Sequence, residues 1–297
     1  MDTFLLLLPD FALILLGYVL RRQAGFEEGF WQGLEKLVYY VLFPALLFYA
    51  VARTHIDLAS MAPLFLCGLL CMLGGLLAGW LIQPLAGLDG LSFASRLQCA
   101  FRFNSYIAIA VAGKMYGAQG ISMMGGLVGA MVPFANFAAV SLLVRQGEGR
   151  IWRELLRNPL IFATLAGIAF NLANLHLPVP LGQFLGRLSD ASVALGLLAV
   201  GAALQGGSPG GHWLGAGWLL LVKLALMPIL AWLLAGWLGL SGLARDVAVL
   251  FAALPTASSA YILTTRMGGD GAGVAWLISA TTLLSMFSMS LWLAWLR

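Results

Sequence analysis

Long apolar stretches alternate with short polar links along the whole chain. Ten of them, near 3–20, 31–51, 59–81, 97–115, 121–144, 159–175, 181–204, 213–238, 244–267 and 273–296, predict membrane-spanning helices, because a span takes about 20 mostly apolar residues. The longest polar link, Arg145 to Arg157, separates the fifth helix from the sixth. Two of the stretches are interrupted. The fourth contains Arg102-Phe103-Asn104-Ser105-Tyr106, and the ninth contains Leu254-Pro255-Thr256-Ala257-Ser258-Ser259. Polar, non-helical chain at membrane depth is tolerated only where it is buried in protein or lines a site.

The interruptions are related to each other. A shift of 152 positions superimposes Asn104 on Thr256, Ala108 on Ala260, Lys114-Met115 on Arg266-Met267, Gly117 on Gly269 and Pro44 on Gly196. The identities are weak, and the constant offset is the signal. Each half holds five helices, an odd number, so the second copy enters the membrane from the opposite face. The pattern predicts an all-α integral membrane protein of ten transmembrane helices. These form two inverted five-helix repeats with broken crossover helices 4 and 9, an architecture common among secondary transporters. The first repeat covers 1–145, a cytoplasmic linker 146–157 and the second repeat 158–297.

Composition supports this class. The chain is 61% hydrophobic and 9% charged, whereas soluble domains carry roughly 25% charged residues. Arg145, Arg150, Arg153 and Arg157 place the central link in the cytoplasm by the positive-inside rule. Alternation then puts Arg21, Arg22, Lys36, Arg96 and Arg266 on the same side, nine basic residues in all. Arg53, Lys114, Arg187, Arg245 and Arg297 fall outside, which places both termini outside the cytoplasmic (inner) membrane. The stretch from Thr3 to Leu20 has no basic leader or cleavage site and reads as a retained helix. The pI of about 9.1 does not imply nucleic acid, because the basic residues sit mostly in links.

The chemistry concentrates at the two interruptions. Pro255 has no N–H to donate and clashes with the preceding turn, freeing carbonyls there. Half-helices that unwind near the midplane offer unpaired N–H groups and a positive dipole end, which suit an anion. The expected substrate-binding set is Arg102, Asn104, Ser105, Pro255, Thr256, Ser258 and Ser259, with Pro44 and Tyr106 supporting the breaks. Arg102 has two readings, a guanidinium pairing a substrate carboxylate or a side chain snorkelling to the interface. The Ser, Thr and Asn groups either hold ligand or satisfy their own backbone and glue helices. Asp10, in the first helix, and Lys223, in the eighth, are candidates for ion or proton coupling; Asp10 reads equally well as a hydrated helix end. Cys67, Cys71 and Cys99 lack metal spacing and read as small buried side chains. No cofactor motif and no HExxH, GxSxG or CxxC is visible, so the chain reads as a non-enzyme.

These residues resemble the auxin efflux carrier family, which includes plant PIN carriers and bacterial permeases assigned to malonate or malate. The first half carries the resemblance at Leu16-Gly17-Tyr18, at Tyr39 to Phe48 around Pro44, at Arg102 to Ala108 and at Lys114 to Gly117. The second half carries it at Arg157-Asn158-Pro159-Leu160, Leu195 to Leu204, Leu254 to Ala257 and Tyr261. The resemblance implies a scaffold of helices 1, 2 and 5 with their counterparts. It implies a transport domain of helices 3, 4, 8 and 9, with helices 4 and 9 crossing at the substrate site, and a homodimer through the scaffold. Asn104 and Pro255 match the family's positions at the two breaks. The chain departs from the family at Phe103, where proline or a small residue is common, at Ser105-Tyr106, where Thr-Gly is common, and at Gly196, where proline is common. A bulky Tyr106 would narrow the site, so substrate identity does not carry over.

An alternative within transport is a sodium-coupled organic anion symporter of the bile-acid type, which shares the helix count and crossover. It calls for a denser set of Glu, Asn and Gln around both breaks. A membrane sensor calls for an added soluble domain.

Overall fold

The computed structural model describes residues 2–53, 58–144, 159–173, 175–204, 210–257 and 259–296. The expected linker 146–157 and the candidate Ser258 lie outside them. The described residues form helices and their connections, with no strand among them.

Helix α1 (Asp2–Gln23) leads into α2 (Glu28–Leu37), a π-helical turn (Val38–Leu42) and α3 (Phe43–Ala52). Then come α4 (Leu58–Trp80), α5 (Gly90–Leu97), α6 (Ser105–Val144), α7 (Pro159–Leu172) and α8 (Val179–Ala203). Helix α9 (Trp213–Leu221) continues through a second π-turn (Val222–Leu226) into α10 (Met227–Trp237). The chain ends with α11 (Gly242–Ala253), α12 (Ser259–Arg266) and α13 (Gly271–Leu296).

Both π-turns lie just ahead of a proline. Pro44 and Pro228 lack an N–H, and the chain widens by one residue so that Phe43 N bonds to Val38 O and Met227 N to Val222 O. Leu224 O, four residues before Pro228, accepts Trp292 Nε1 at 3.1 Å instead. Pro44 therefore widens a continuous helix and does not break it.

The surface is apolar and the interior holds polar groups. Leu77, Leu81, Trp237 and Leu291 are each more than 60% exposed. Arg96, Gln98, Arg102, Asn104, Lys223 and Thr256 are buried. A water-soluble protein rarely exposes so many large apolar side chains while burying charged ones, and this distribution suits a lipid surround. Five helical stretches are long and apolar enough to cross a membrane, Met61–Leu85, Gln119–Leu143, Val179–Ala203, Trp213–Trp237 and Gly271–Leu296. The chain is thus a multi-pass membrane protein. The interrupted helices α5, α11 and α12 are each too short to span alone.

Two details differ from the apolar pattern. Asp89 caps α5, its Oδ1 accepting from Leu91 N and Ser92 N at 3.0 Å each, so the helix begins at Gly90 and not near 97. Hydrogen bonds from Ser92 hold the Asp89 carboxyl below the usual carboxylate range. Arg96, expected in a link, therefore lies in the last turn of α5, where it is buried and pairs with Asp270, Nε to Oδ2 at 2.6 Å. The expected link at 116–120 is also absent as such. Helix α6 runs through it with a single non-helical residue, Gly117 at φ 60° and ψ −147°, a conformation that glycine adopts freely. The second half repeats these marks. Gly242 opens α11, 152 positions after Gly90, and Gly268 follows α12 at φ 70°.

Helices α1, α3, α7 and α8 pack on one another, as do α4, α9, α10 and α11, and α6 and α13 touch both groups. The closest approach joins α1 to α8. A Cβ on Gly17 would collide with Leu198 O, and one on Gly201 with Ile14 O. Gly201→Val is expected to force these helices apart at a cost of about 1–3 kcal/mol, seen as a lower thermal unfolding midpoint in detergent. An unchanged midpoint would contradict this packing.

Candidate functional site

The two interruptions form in different ways. Pro255 restricts the residue before it to extended backbone. Leu254 accordingly sits at φ −60° and ψ 144°, and α11 ends at Ala253. The first break has no proline. There α5 tightens into a 3-10 turn at Gln98–Ala100, Phe101 leaves the helix at φ −121° and ψ −20°, and α6 restarts at Ser105. Asn104 N donates to Pro255 O at 2.9 Å, so one break satisfies the backbone of the other. The Asn104 Oδ1 accepts from Tyr106 N at 3.1 Å and Ile107 N at 3.2 Å, capping the half-helix.

Further contacts zip the broken helices together antiparallel. Thr256 Oγ1 donates to Cys99 O at 2.8 Å, and Thr256 N donates to Thr281 Oγ1 at 3.3 Å. Gln98 Nε2 reaches Thr264 Oγ1 at 2.8 Å. Within the first break the Phe103 ring packs 4.5 Å from that of Phe251, and further along α6 Tyr116 OH donates to Asp246 Oδ2 at 3.3 Å.

Arg102 turns inward and does not snorkel; it is 6% exposed. Its Nη2 donates to Ser259 Oγ at 2.8 Å and Asn136 Oδ1 at 3.2 Å, and Nη1 reaches Gln98 Oε1 at 3.5 Å. All three acceptors are neutral. Arg102 Nε and Asn104 Nδ2 are buried donors with no hydrogen-bond partner among the described residues. The junction therefore presents a cation and spare donors, which is the complement of an anion.

Of the expected set, the fold brings together Arg102, Asn104, Pro255, Thr256 and Ser259. Ser105 opens α6 beside them and is half-buried. Ser258 lies outside the described residues, as does the side chain of Asp10, whose backbone sits within α1. One expectation changes. The first N–H groups of α6 were expected to be open to ligand, but the Asn104 side chain already occupies two of them. The donor left over is Asn104 Nδ2. Tyr106 packs its ring 4.4 Å from that of Phe43 and fills the space over Gly196, where a Cβ would collide with it. Lys223 is fully buried and, among the described residues, shares no hydrogen-bond partner with Arg102; its Nζ lies 3.5 Å from Ala252 O and 3.7 Å from Met227 Sδ. The three cysteines are free and buried, and Cys71 donates to Met227 O at 3.4 Å.

The pattern of polar breaks missed Gln98, Asn136, Thr264 and Thr281. Asn136 and Gln98 carried a usable signal, since each is an amide inside an apolar stretch. Glu35, an acidic residue within an apolar stretch, is half-buried on α2. A cavity of about 450 Å³ lies elsewhere, near the ends of α3 and α7, lined by Tyr49, Arg53, His176 and Gln183 among others. None of its lining residues belongs to the crossing, whose own centre is tightly packed.

An apolar helical bundle with broken helices meeting over a buried cation is a transporter's construction. Residues 143–293 match the family described as membrane transport protein, and the chain belongs to that family, the permeases that resemble auxin efflux carriers. An uncharacterised transporter of Methanothermobacter thermautotrophicus is 28% identical over 286 residues, covering 94% of each chain. A Rhizobium meliloti protein provisionally named a malonate transporter is 26% identical over 308 residues, covering 96% of this chain and 93% of the relative.

Thr256→Val keeps the shape of the second break but leaves Cys99 O without its donor. It is expected to cost about 1–3 kcal/mol, measured as a lower unfolding midpoint. An unaltered midpoint would show that the Thr256–Cys99 bond does not hold the crossing.

Proposed function

We propose that this permease is a secondary transporter that moves a small organic anion, a carboxylate, across the cytoplasmic membrane by alternating access, with the anion held where the two broken helices cross. The observation that carries the reading is the buried Arg102 guanidinium, surrounded by neutral acceptors, beside the unpartnered Nδ2 of Asn104. A carboxylate would satisfy the orphaned donors and the charge together, and guanidinium geometry suits it.

In this reading the chain forms ten spans in two inverted repeats, with both termini outside. The recurrence of Gly90 and Gly242 as helix starts supports the duplication. The group of α1, α3, α7 and α8 acts as scaffold, and the broken helices with α4, α9 and α10 move against it. Motion is required because Arg102, Asn104 and Thr256 are 6%, 1% and 0% exposed. The relative named for malonate transport supports a small carboxylate as substrate. Arg102 weighs against the sodium-coupled alternative, since a guanidinium at the crossing repels a cation there.

Uptake of labelled acetate, malonate and succinate into proteoliposomes tests the reading. Arg102→Gln is expected to weaken uptake of the transported anion at least about 30-fold, the lower end for breaking a buried charged pair. Asn104→Ala is expected to stop flux in a protein that stays folded. Full uptake by both variants would remove the crossing as the site. Tyr106→Ala opens space beside Gly196 and is expected to shift competition toward bulkier carboxylates; an unchanged ranking would show that Tyr106 does not shape the site.

A further inference from the structure

A second buried cation lies beside the crossing, and the anion site described above makes no use of it. Lys223 sits in the π-turn at Val222–Leu226 and is 0% exposed. Among the described residues its Nζ has two partners, a thioether at 3.7 Å and the Ala252 carbonyl at 3.5 Å. Ala252 lies in the last turn of α11, three residues before Pro255. That end of a helix carries the negative pole of its dipole, but a dipole end is not a counter-ion.

The elements packed against the π-turn offer no counter-ion either. Helices α9, α10 and α13 contain no titratable residue. Helix α4 offers only Cys67 and Cys71, and the 3-10 turn at Gln98–Ala100 offers only Cys99. Helix α11 carries Arg245 and Asp246 near its start, with Asp246 about 9 Å along the helix from Ala252 at 1.5 Å per residue. Asp246 is itself engaged by Arg245 and Tyr116. An ammonium held in such surroundings has no charge to balance it, and in a low dielectric that is a costly state. Cys99 lies within electrostatic range of Lys223 and Arg102 and also of Arg96 and Asp270, but those two are paired with each other at 2.6 Å, so their carboxylate is already matched.

We infer that Lys223 is the proton site of the transport cycle, taking up a proton when an anion enters the crossing and releasing it when the anion leaves. The inference rests on the crossing being an anion site. A carboxylate beside Arg102 supplies the negative charge that the region lacks, so anion and proton favour each other's binding. Linkage is reciprocal, so raising the pH weakens anion binding. The same coupling makes the carried unit one anion with one proton, moved through the membrane with less net charge than the anion alone.

The test is calorimetric titration of the purified protein with whichever of acetate, malonate and succinate binds most tightly. It is run at several pH values and in two buffers of different ionisation enthalpy, which counts protons. The wild type is expected to take up about one proton per anion and to lose affinity about tenfold per pH unit over the linked range. Lys223→Met is expected to bind with no proton uptake and a flat pH profile. Lys223→Arg, which keeps a permanent charge, is expected to do the same, and it serves if the methionine variant does not fold. Proton uptake that persists in both variants but disappears in Glu35→Gln would overturn the assignment, as would anion binding by the wild type without proton uptake. Failure of all three anions to bind would overturn the anion-site reading together with this one.

Discussion

The hydrogen bond from Asn104 N to Pro255 O, 2.9 Å long, is the contact on which the centre of this protein depends. A helix that breaks inside hydrocarbon strands its backbone groups, and no water is there to receive them. Here each break supplies what the other lacks. The carbonyl exposed at Pro255 receives the amide exposed at Asn104, and Thr256 returns a hydroxyl to Cys99 O. The two interruptions are one structure, and neither would be affordable alone.

The dependence is unequal. Pro255 breaks its helix by local sterics, whatever surrounds it. The chain near Asn104 contains no residue that forbids a helix, and Phe103 and Tyr106 are compatible with one. What holds it open is tertiary: the bond to Pro255, the ring of Phe251 against Phe103 and the Asn104 cap over the restarting helix. Tyr106 illustrates the same logic one turn further on. Its bulk fits only because position 196 is glycine, so Tyr106 and Gly196 are two halves of one packing contact.

Charge divides the buried cations into two kinds. Arg96 has a carboxylate, Asp270, that also caps the following helix through Gly273 N at 2.9 Å, and the pair ties α5 to the start of α13. Among the described residues, the partners of Arg102 and Lys223 are neutral. An isolated buried charge is expensive, and a protein retains one where something else completes it part of the time. That distinction separates a structural ion pair from groups that a passing anion and a proton would complete.

The membrane class, the positions of both breaks and most of the residues that meet there are legible in the residue order alone, because apolar run length and proline sterics are local properties. The residue order also registered the offset that relates the two halves. It did not place Arg96, which an apolar-length rule assigns to a link, because the Asp89 cap that starts α5 early is a side-chain contact that run length does not see. It left Arg102 undecided between interface and interior, and it did not find Asn136 or Gln98 as its neighbours. Those choices belong to the tertiary structure. The direction in which a buried polar side chain points is set by which acceptors the other helices bring within about 3 Å, and that proximity exists only once the two broken helices have crossed.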